Sequence, residues 1–161
     1  MPTDFGTDRG VWSVTHFIVE ADGASRGNPG HASYGSVVRN ALTGEIVIEL
    51  GGVLGHATNN VAEYRGLIAG LEAVAELDTQ AVVEVRMDSK LVVEQMSGRW
   101  SIKNAGLREL AMQARDILPY EQVTYTWIPR EDNKDADALA NQALDEHLAG
   151  GSGQIRRPGT L

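Results

Sequence analysis

Hydrophobic positions in the first third of the chain recur in short stretches that polar, glycine-containing segments separate. The three stretches lie at residues 16–22, 33–40 and 45–52. Each is rich in Val, Ile or aromatic residues and is bounded by turn-forming residues, a pattern that is typical of β-strands. The pattern therefore predicts three consecutive strands joined as an antiparallel meander.

The second part of the chain changes to helical periodicity. Its apolar positions fall every three or four residues from Val61 to about Leu77, which predicts one long helix. Asn59 or Asn60 could cap the first turn of that helix. Further elements are predicted in the order strand, short helix, helix, strand and helix, at 81–87, 89–97, 105–118, 122–128 and from an Asn133 cap onward.

The predicted element order is βββαβα(α)βα, in which three antiparallel strands precede strands connected by helices. Such an order indicates an α/β fold with a mixed five-stranded sheet flanked by helices. We expect a flexible leader over residues 1–14, one folded domain over 15–148 and a flexible tail or linker over 149–161. The glycine-rich tail also fits a fusion to a further C-terminal domain.

Composition excludes several classes of protein. The chain has 161 residues, of which 42% are hydrophobic and 22% charged, as expected for a single soluble domain. No window approaches the ~18 consecutive apolar residues of a membrane span. The polar N-terminus predicts neither a signal peptide nor a transit peptide. The absence of cysteine excludes disulfides and thiolate metal sites, and it favours a cytoplasmic protein.

Four acidic residues occupy positions where ligands gather in α/β sheets. Asp22 ends the first predicted strand, Asp88 ends the fourth, Glu63 lies in the first turn of the first helix and Asp137 lies one turn inside the last. Each acid taken singly is also explained as a strand end or a helix cap. Spacing alone leaves the choice between these interpretations open.

Convergence of these acids would have a definite chemical consequence. Clustered carboxylates resist ionisation unless a cation lies between them. Oxygen ligands without Cys or clustered His suit Mg²⁺ or Mn²⁺, and such sites hydrolyse phosphodiesters. A bound cation would also reconcile the net charge of −8 with a nucleic-acid partner, which usually requires a basic surface.

Four motifs carry a family resemblance. They are DGASRGNPG (22–30), TNNVAEY (58–64), MDSKLVVEQMSGRW (87–100) and NKDADALAN (133–141). In this order, over about residues 15–148, the chain resembles type 1 ribonuclease H, and the predicted sheet is that of a ribonuclease H-like fold. The resemblance is to short members without the basic protrusion, including the ribonuclease H domain of actinobacterial bifunctional proteins.

The resemblance implies an endoribonuclease that hydrolyses the RNA strand of RNA·DNA hybrids and leaves 5′-phosphate and 3′-hydroxyl ends. It implies two Mg²⁺ ions, with Mn²⁺ able to substitute, held by Asp22, Glu63, Asp88 and Asp137. Asp22 would bridge both ions, Glu63 and Asp88 would serve the leaving-group side, and Asp137 the attacking water. Asp135 competes with Asp137, but residues two apart on a helix differ by ~200°, and the family's Asn-x-x-Ala-Asp pattern ends on Asp137.

The resemblance also implies contacts to both nucleic-acid strands. Glycine-rich backbone and asparagine side chains would reach RNA 2′-hydroxyls, while a threonine, an asparagine and a tryptophan would contact the DNA strand. The predicted residues are Gly23, Ala24, Ser25, Asn28, Thr58, Asn59, Asn60, Trp100 and Asn104. Asn60 could instead be only a cap and Trp100 only a core residue, and we expect Trp127 in the core.

Three departures from the family distinguish this chain. The segment 129–132 lacks the histidine of many relatives, and Arg130 or Glu131 could replace it. Lys90 stands where glutamine is frequent. The connection 98–104 offers only Arg99 and Lys103 in place of a basic helical handle, which predicts weaker hybrid binding with modest salt sensitivity.

Two other functions fit the same residues. A ribonuclease H-fold nuclease could act on double-stranded RNA or on DNA, and a non-catalytic module could bind hybrids without cutting them. An all-DNA substrate would not need a segment that reads 2′-hydroxyls, and a binding module would not need all four carboxylates. We expect a monomer.

Overall fold

The computed structural model describes residues 14–159, so nearly all of the predicted leader lies outside the described residues. Six strands and four α-helices follow one another in this range, with short 3₁₀ turns at Tyr120–Gln122 and Arg130–Asp132. In chain order the elements are β1 (His16–Arg26), β2 (Gly30–Asn40), β3 (Ile46–Ala57), α1 (Asn59–Leu77), β4 (Val82–Met87), α2 (Lys90–Met96), α3 (Ala105–Arg115), β5 (Val123–Trp127), α4 (Lys134–Leu148) and β6 (Ile155–Pro158).

All six strands form one mixed sheet in the order β5-β4-β1-β2-β3-β6. Strands β1, β2 and β3 pair antiparallel, whereas β4 runs parallel to β1 and β5 runs parallel to β4. The predicted meander and the mixed α/β sheet are therefore confirmed. Because Ala21 of β1 lies opposite Met87 of β4, the residues that follow them, Asp22 and Asp88, come to the same edge of the sheet.

The sixth strand corrects two expectations, namely a five-stranded sheet and a flexible segment throughout 149–161. Ile155–Pro158 pairs antiparallel with β3 and forms the outermost strand on the β3 side of the sheet. The Ile155 side chain is buried against Val37, Leu139 and Ala143. A strand of four residues with one buried side chain has no periodicity that a sequence pattern could display.

The helices cover the two faces of the sheet unequally. Alternate residues of β1, Phe17, Val19 and Ala21, belong to the larger core, to which α1, α2 and α3 contribute. Helix α4 packs on the opposite face, where Leu139 and Ala143 meet Val37. None of the helices within residues 14–159 has the length and apolar character needed to cross a membrane.

Two local predictions at the start of the fold were wrong. The first strand was predicted to end at Asp22, but β1 continues to Arg26 and pairs with β2 as far as His31. Main-chain pairing with a long neighbouring strand outweighs the low strand propensity of these residues. Helix α1 is capped by Thr58, whose side chain accepts a hydrogen bond from the Val61 amide, and not by either asparagine.

Candidate active site

Three carboxylates from different elements meet at the edge of the sheet. Oxygens of Asp22 on β1, Glu63 on α1 and Asp88 after β4 all lie within 4.8 Å of one another. The parallel pairing of β1 with β4 places the two aspartates, and α1 supplies the glutamate just after its first turn. Asp22 and Glu63 are only 6% and 9% exposed, so water can neutralise little of their mutual repulsion.

Two glycines allow the helices to approach this point closely. A Cβ atom on Gly23 would lie 2.3 Å from the backbone of Ala62 and Glu63, so α1 could not pack here against a larger residue. On the other face, a Cβ on Gly35 would lie 2.2 Å from the Ala136 carbonyl of α4. Gly35 is the pairing partner of Asp22. Both helices therefore reach the sheet beside the first carboxylate.

The electrostatics of the cluster favour a cation. The pKa of Asp22 is raised to about 7, chiefly by burial and also by the charge of Asp88, although hydrogen bonds with Glu63 and from the Gly23 amide oppose the shift. Burial and then the Asp22 charge raise the pKa of Glu63 well above its ordinary value. All the atoms of this cluster that could bind a metal ion are carboxylate oxygens. This donor set fits a hard divalent ion, which would relieve the repulsion.

Asp137 lies in the same cleft but is not part of this group of three. It lines a cleft of about 390 Å³ together with Asp22, Glu63 and Asp88. Asn141 donates from Nδ2 to the Asp137 backbone oxygen at 3.0 Å and to its Oδ1 at 3.4 Å. The other aspartate of this turn, Asp135, is directed away and pairs with Arg39. Of the two aspartates, Asp137 therefore lines the cleft and Asp135 does not.

Most of the residues predicted to read RNA line this cleft. Gly23, Ala24, Ser25 and Asn59 contribute to its wall, whereas Asn60 is exposed outside it. The turn after β1 is tied to the start of α1, because the Asn59 amide donates to Asn28 Oδ1 at 3.1 Å.

The residues predicted to contact the DNA strand lie outside the cleft. Thr58 and Asn104 are exposed N-caps of α1 and α3, and Asn104 Oδ1 accepts a hydrogen bond of 3.0 Å from the Leu107 amide. Trp100 is 46% exposed, so the alternative of a core residue is excluded.

Trp127 was predicted in the core, and this prediction was wrong. The side chain is 46% exposed because Trp127 ends β5, an edge strand of the sheet. Its indole Nε1 donates to the Asp88 carbonyl oxygen at 3.2 Å. The Lys90 ammonium lies 5.7 Å from the centre of its ring. An aromatic and cationic surface therefore lies beside the carboxylate cluster.

Sequence reasoning missed Arg26 and Asn141, which line the cleft. Of the two residues suggested in place of the histidine, Arg130 lines the cleft and Glu131 does not. Asn133 was interpreted as a helix cap, but it makes no side-chain capping bond. Its Nδ2 donates instead to the Ala21 carbonyl and to Asp88 Oδ1. The Asn-x-x-Ala-Asp spacing was the one sequence signal that marked this asparagine.

The strand order, together with carboxylates at the edge of the central strands, defines a protein of the ribonuclease H fold. The family described as reverse transcriptase-like matches residues 20–143. Ribonuclease HI of Halobacterium salinarum is 47% identical, over 90% of this chain and 72% of that protein. The chain belongs to the type 1 ribonuclease H family.

Solved structures agree with this assignment. The N-terminal ribonuclease H domain of Rv2228c from Mycobacterium tuberculosis has a TM-score of 0.78 and 48% identity, covering 84% of this chain and 97% of that one. LC11 ribonuclease H1 in complex with an RNA/DNA hybrid has a TM-score of 0.77 and 37% identity, covering 82% of this chain and 99% of that one.

The match to the mycobacterial bifunctional protein covers most of this chain but only part of that protein. Rv2228c is 52% identical over 130 residues, which are 80% of this chain but only 35% of that protein. The present chain thus spans about a third of the length of that relative.

Proposed function

We propose that this chain is a metal-dependent endoribonuclease that hydrolyses the RNA strand of RNA·DNA hybrids. The observation that carries the proposal is the approach of three carboxylates to within 4.8 Å of one another in a buried, hydrogen-bonded cluster. The type 1 ribonuclease H family and the hybrid named in the LC11 complex support the choice of substrate.

All four carboxylates would contribute to metal binding. Asp22, Glu63 and Asp88 would hold divalent metal, and Asp137 would complete the donor set from the wall of the same cleft. Bound metal supplies charge stabilisation for the attacking and leaving oxygens of an in-line displacement. The Gly23 amide keeps Asp22 and Glu63 oriented by donating to both. The products would carry 5′-phosphate and 3′-hydroxyl ends.

We infer two Mg²⁺ ions, with Mn²⁺ able to substitute. Four carboxylates are more negative charge than one divalent ion balances, and oxygen-only donor sets suit both metals. The raised pKa values of Asp22 and Glu63 support the view that cations are needed for full ionisation at neutral pH.

Selection for RNA would come from the segment after Asp22. The backbone of Gly23, Ala24 and Ser25 lies in the wall of the cleft beside Asn59, whose amide donates to Asn28, and Asn60 is exposed next to Asn59. Peptide groups and amides can donate to and accept from a 2′-hydroxyl, which DNA lacks. Thr58, Asn104 and Trp100 are exposed and available to the DNA strand.

The setting of the domain is also a proposal. The length of the mycobacterial relative favours a chain that works beside a further C-terminal domain. We infer a monomeric enzyme of the cytoplasm, consistent with a chain that contains no cysteine.

Cleavage of a 5′-labelled RNA strand tests the proposal. The RNA would be paired with DNA and incubated with Mg²⁺, beside all-DNA and all-RNA duplexes. Hybrid-specific cutting that EDTA abolishes would support it. Asp137→Asn should reduce the rate at least a hundredfold, whereas the matched Asp135→Asn, whose side chain lies outside the cleft, should retain it.

Other outcomes would favour the alternative functions. Cutting of the all-DNA or all-RNA duplex at a comparable rate would assign a broader nuclease of the same fold. Binding of the hybrid without cleavage in either Mg²⁺ or Mn²⁺ would overturn the catalytic proposal and indicate a binding module.

A further inference from the structure

Asn133 joins three elements that carry carboxylates of the cleft. Its side-chain Nδ2 donates to the Ala21 carbonyl at 2.9 Å and to Asp88 Oδ1 at 3.2 Å. Its backbone oxygen accepts from the Asp137 amide at 3.2 Å. A single residue thus connects the residue before Asp22 on β1, the carboxylate after β4 and the first turn of α4.

The orientation of this amide is determined by its neighbours. Both groups that face Nδ2 are acceptors, so only the amino side of the amide can be directed toward them. The other atom, Oδ1, is buried and has no hydrogen-bond partner among the described residues. Asn133 itself is only 1% exposed.

The stability of the fold does not by itself explain an asparagine at this position. An unpaired buried acceptor loses its bonds to water without replacement, and an apolar residue of similar size would avoid that cost. The side chain also makes no capping bond to α4, so helix initiation does not account for the asparagine. What asparagine provides, and leucine or alanine does not, is two donors on one nitrogen.

We propose that Asn133 is a positioning residue that orients the Asp88 carboxylate for metal binding. This inference deepens the proposed function and rests on its metal site. The bond to the Ala21 carbonyl anchors the amide to β1. The bond to Asp88 Oδ1 restrains rotation of that carboxylate, so that it stays directed toward Asp22 and Glu63. Groups that hydrogen-bond to metal ligands commonly change metal affinity 10–100-fold when they are removed.

The test is calorimetric titration of the full chain with Mn²⁺, which needs no nucleic acid. Asn133→Ala and Asn133→Leu should each weaken Mn²⁺ binding about tenfold or more. The leucine variant keeps a γ-branched side chain and removes the unpaired acceptor but is larger than asparagine, so urea unfolding of both variants first establishes that they fold. In hybrid cleavage, the Mg²⁺ concentration for half-maximal rate should rise, whereas KM for the hybrid at saturating Mg²⁺ should stay unchanged.

Asn40→Ala is the matched control. Asn40 Oδ1 accepts hydrogen bonds from the Leu42 and Thr43 amides in the turn between β2 and β3, and Asn40 pairs with Phe17 at the other end of β1. Its replacement should lower stability while Mn²⁺ affinity remains that of the wild type. A merely structural role for Asn133 would give the same result as this control.

A measurement on the wild type removes the dependence on variants. In proton–nitrogen correlation spectra, the side-chain amide of Asn133 should shift when Mg²⁺ is added, because one of its protons is donated to Asp88. An unshifted amide, or folded variants with wild-type Mn²⁺ affinity, would overturn the proposal. If Mn²⁺ binding depends on Asn133 but the wild type does not cut hybrids, the proposed function fails and this inference stands.

Discussion

Gly23 lies within strand β1 against the start of helix α1, and the close packing of that helix explains why the position carries no side chain. A Cβ would lie 2.3 Å from the backbone of Ala62 and Glu63. The family resemblance implies that RNA approaches the backbone of this glycine closely. The structure shows that close approach of α1 already requires it.

Gly23→Ala should therefore destabilise the fold and displace Glu63. Overpacking of this kind costs about 1–3 kcal/mol, measurable by urea unfolding. Gly106→Ala is the control, because the nearest atom to its added Cβ is Asn104 Oδ1 at 3.3 Å. In helix α3 that change should stabilise by about 0.5–1 kcal/mol. Equal free energies of unfolding for Gly23→Ala and the wild type would show that α1 can move away from the added Cβ without loss of stability.

The buried carboxylates predict a pH dependence of the metal-free protein. Burial raises the pKa of Asp22 to about 7 and that of Glu63 well above its ordinary value, so the folded state binds protons more tightly than the unfolded state. This contribution to stability is complete below about pH 4 and is lost as the pH rises through 7.

Urea unfolding in EDTA at pH 5.5 and pH 8 measures this effect. The free energy of unfolding should fall by about 1–2 kcal/mol through Asp22 alone, and the decrease should be smaller in Asp22→Asn. Mg²⁺ should restore more stability at pH 8 than at pH 5.5. A wild type whose metal-free stability rises over this range would contradict the assigned burial.

At the scale of elements, β6 ties the end of the described chain to the sheet and to α4. Ile155 packs against Leu139 and Ala143 of the same helix that carries Asp137. Arg157 pairs with Glu49 at 2.7 Å, and Arg156 pairs with Glu76 at 2.6 Å. The ion pairs are exposed and stabilise little, whereas the isoleucine is buried.

Ile155→Ala should consequently lower the free energy of unfolding by about 2–4 kcal/mol. Arg156→Ala, on the same strand but with an exposed side chain, should change it by less than about 1 kcal/mol. Thermal or urea unfolding distinguishes the two variants. Similar small effects for both would mean that β6 contributes little to the fold.

Elements with strong periodicity were predictable from the sequence, and elements defined by distant partners were not. Helix α1 and the strand before Asp88 can be predicted from the spacing of apolar residues in their own segments. Strand β6 depends on contacts with β3 and α4, and the extension of β1 to Arg26 depends on pairing with β2. At the site, the motifs identified the carboxylates, but the two donors of Asn133 could be found only from the packing of β1, β4 and α4.

At the scale of the whole molecule, a net charge of −8 must be reconciled with a polyanionic substrate. Several arginines are engaged internally: Arg39 with Glu20, Arg99 with Glu94 and Arg157 with Glu49. Each such pair reduces the positive charge that is available to phosphates, so bound metal would carry much of the attraction.

Hybrid binding should then depend weakly on monovalent salt. Fluorescence anisotropy at fixed Ca²⁺ should give a slope of log affinity against log salt of about −1 to −3, which corresponds to a few phosphate contacts. A slope steeper than about −6 would reveal a basic surface that the charge distribution does not suggest.

Anomalous diffraction from crystals soaked in Mn²⁺ is the decisive experiment on the proposed divalent metal site of Asp22, Glu63 and Asp88. We expect a manganese peak in contact with the Asp22 carboxylate and bounded by Glu63 and Asp88, and no such peak in Asp22→Asn crystals. Manganese bound only elsewhere, or a wild-type cleft without a peak at saturating Mn²⁺, would show that these carboxylates do not form a metal site.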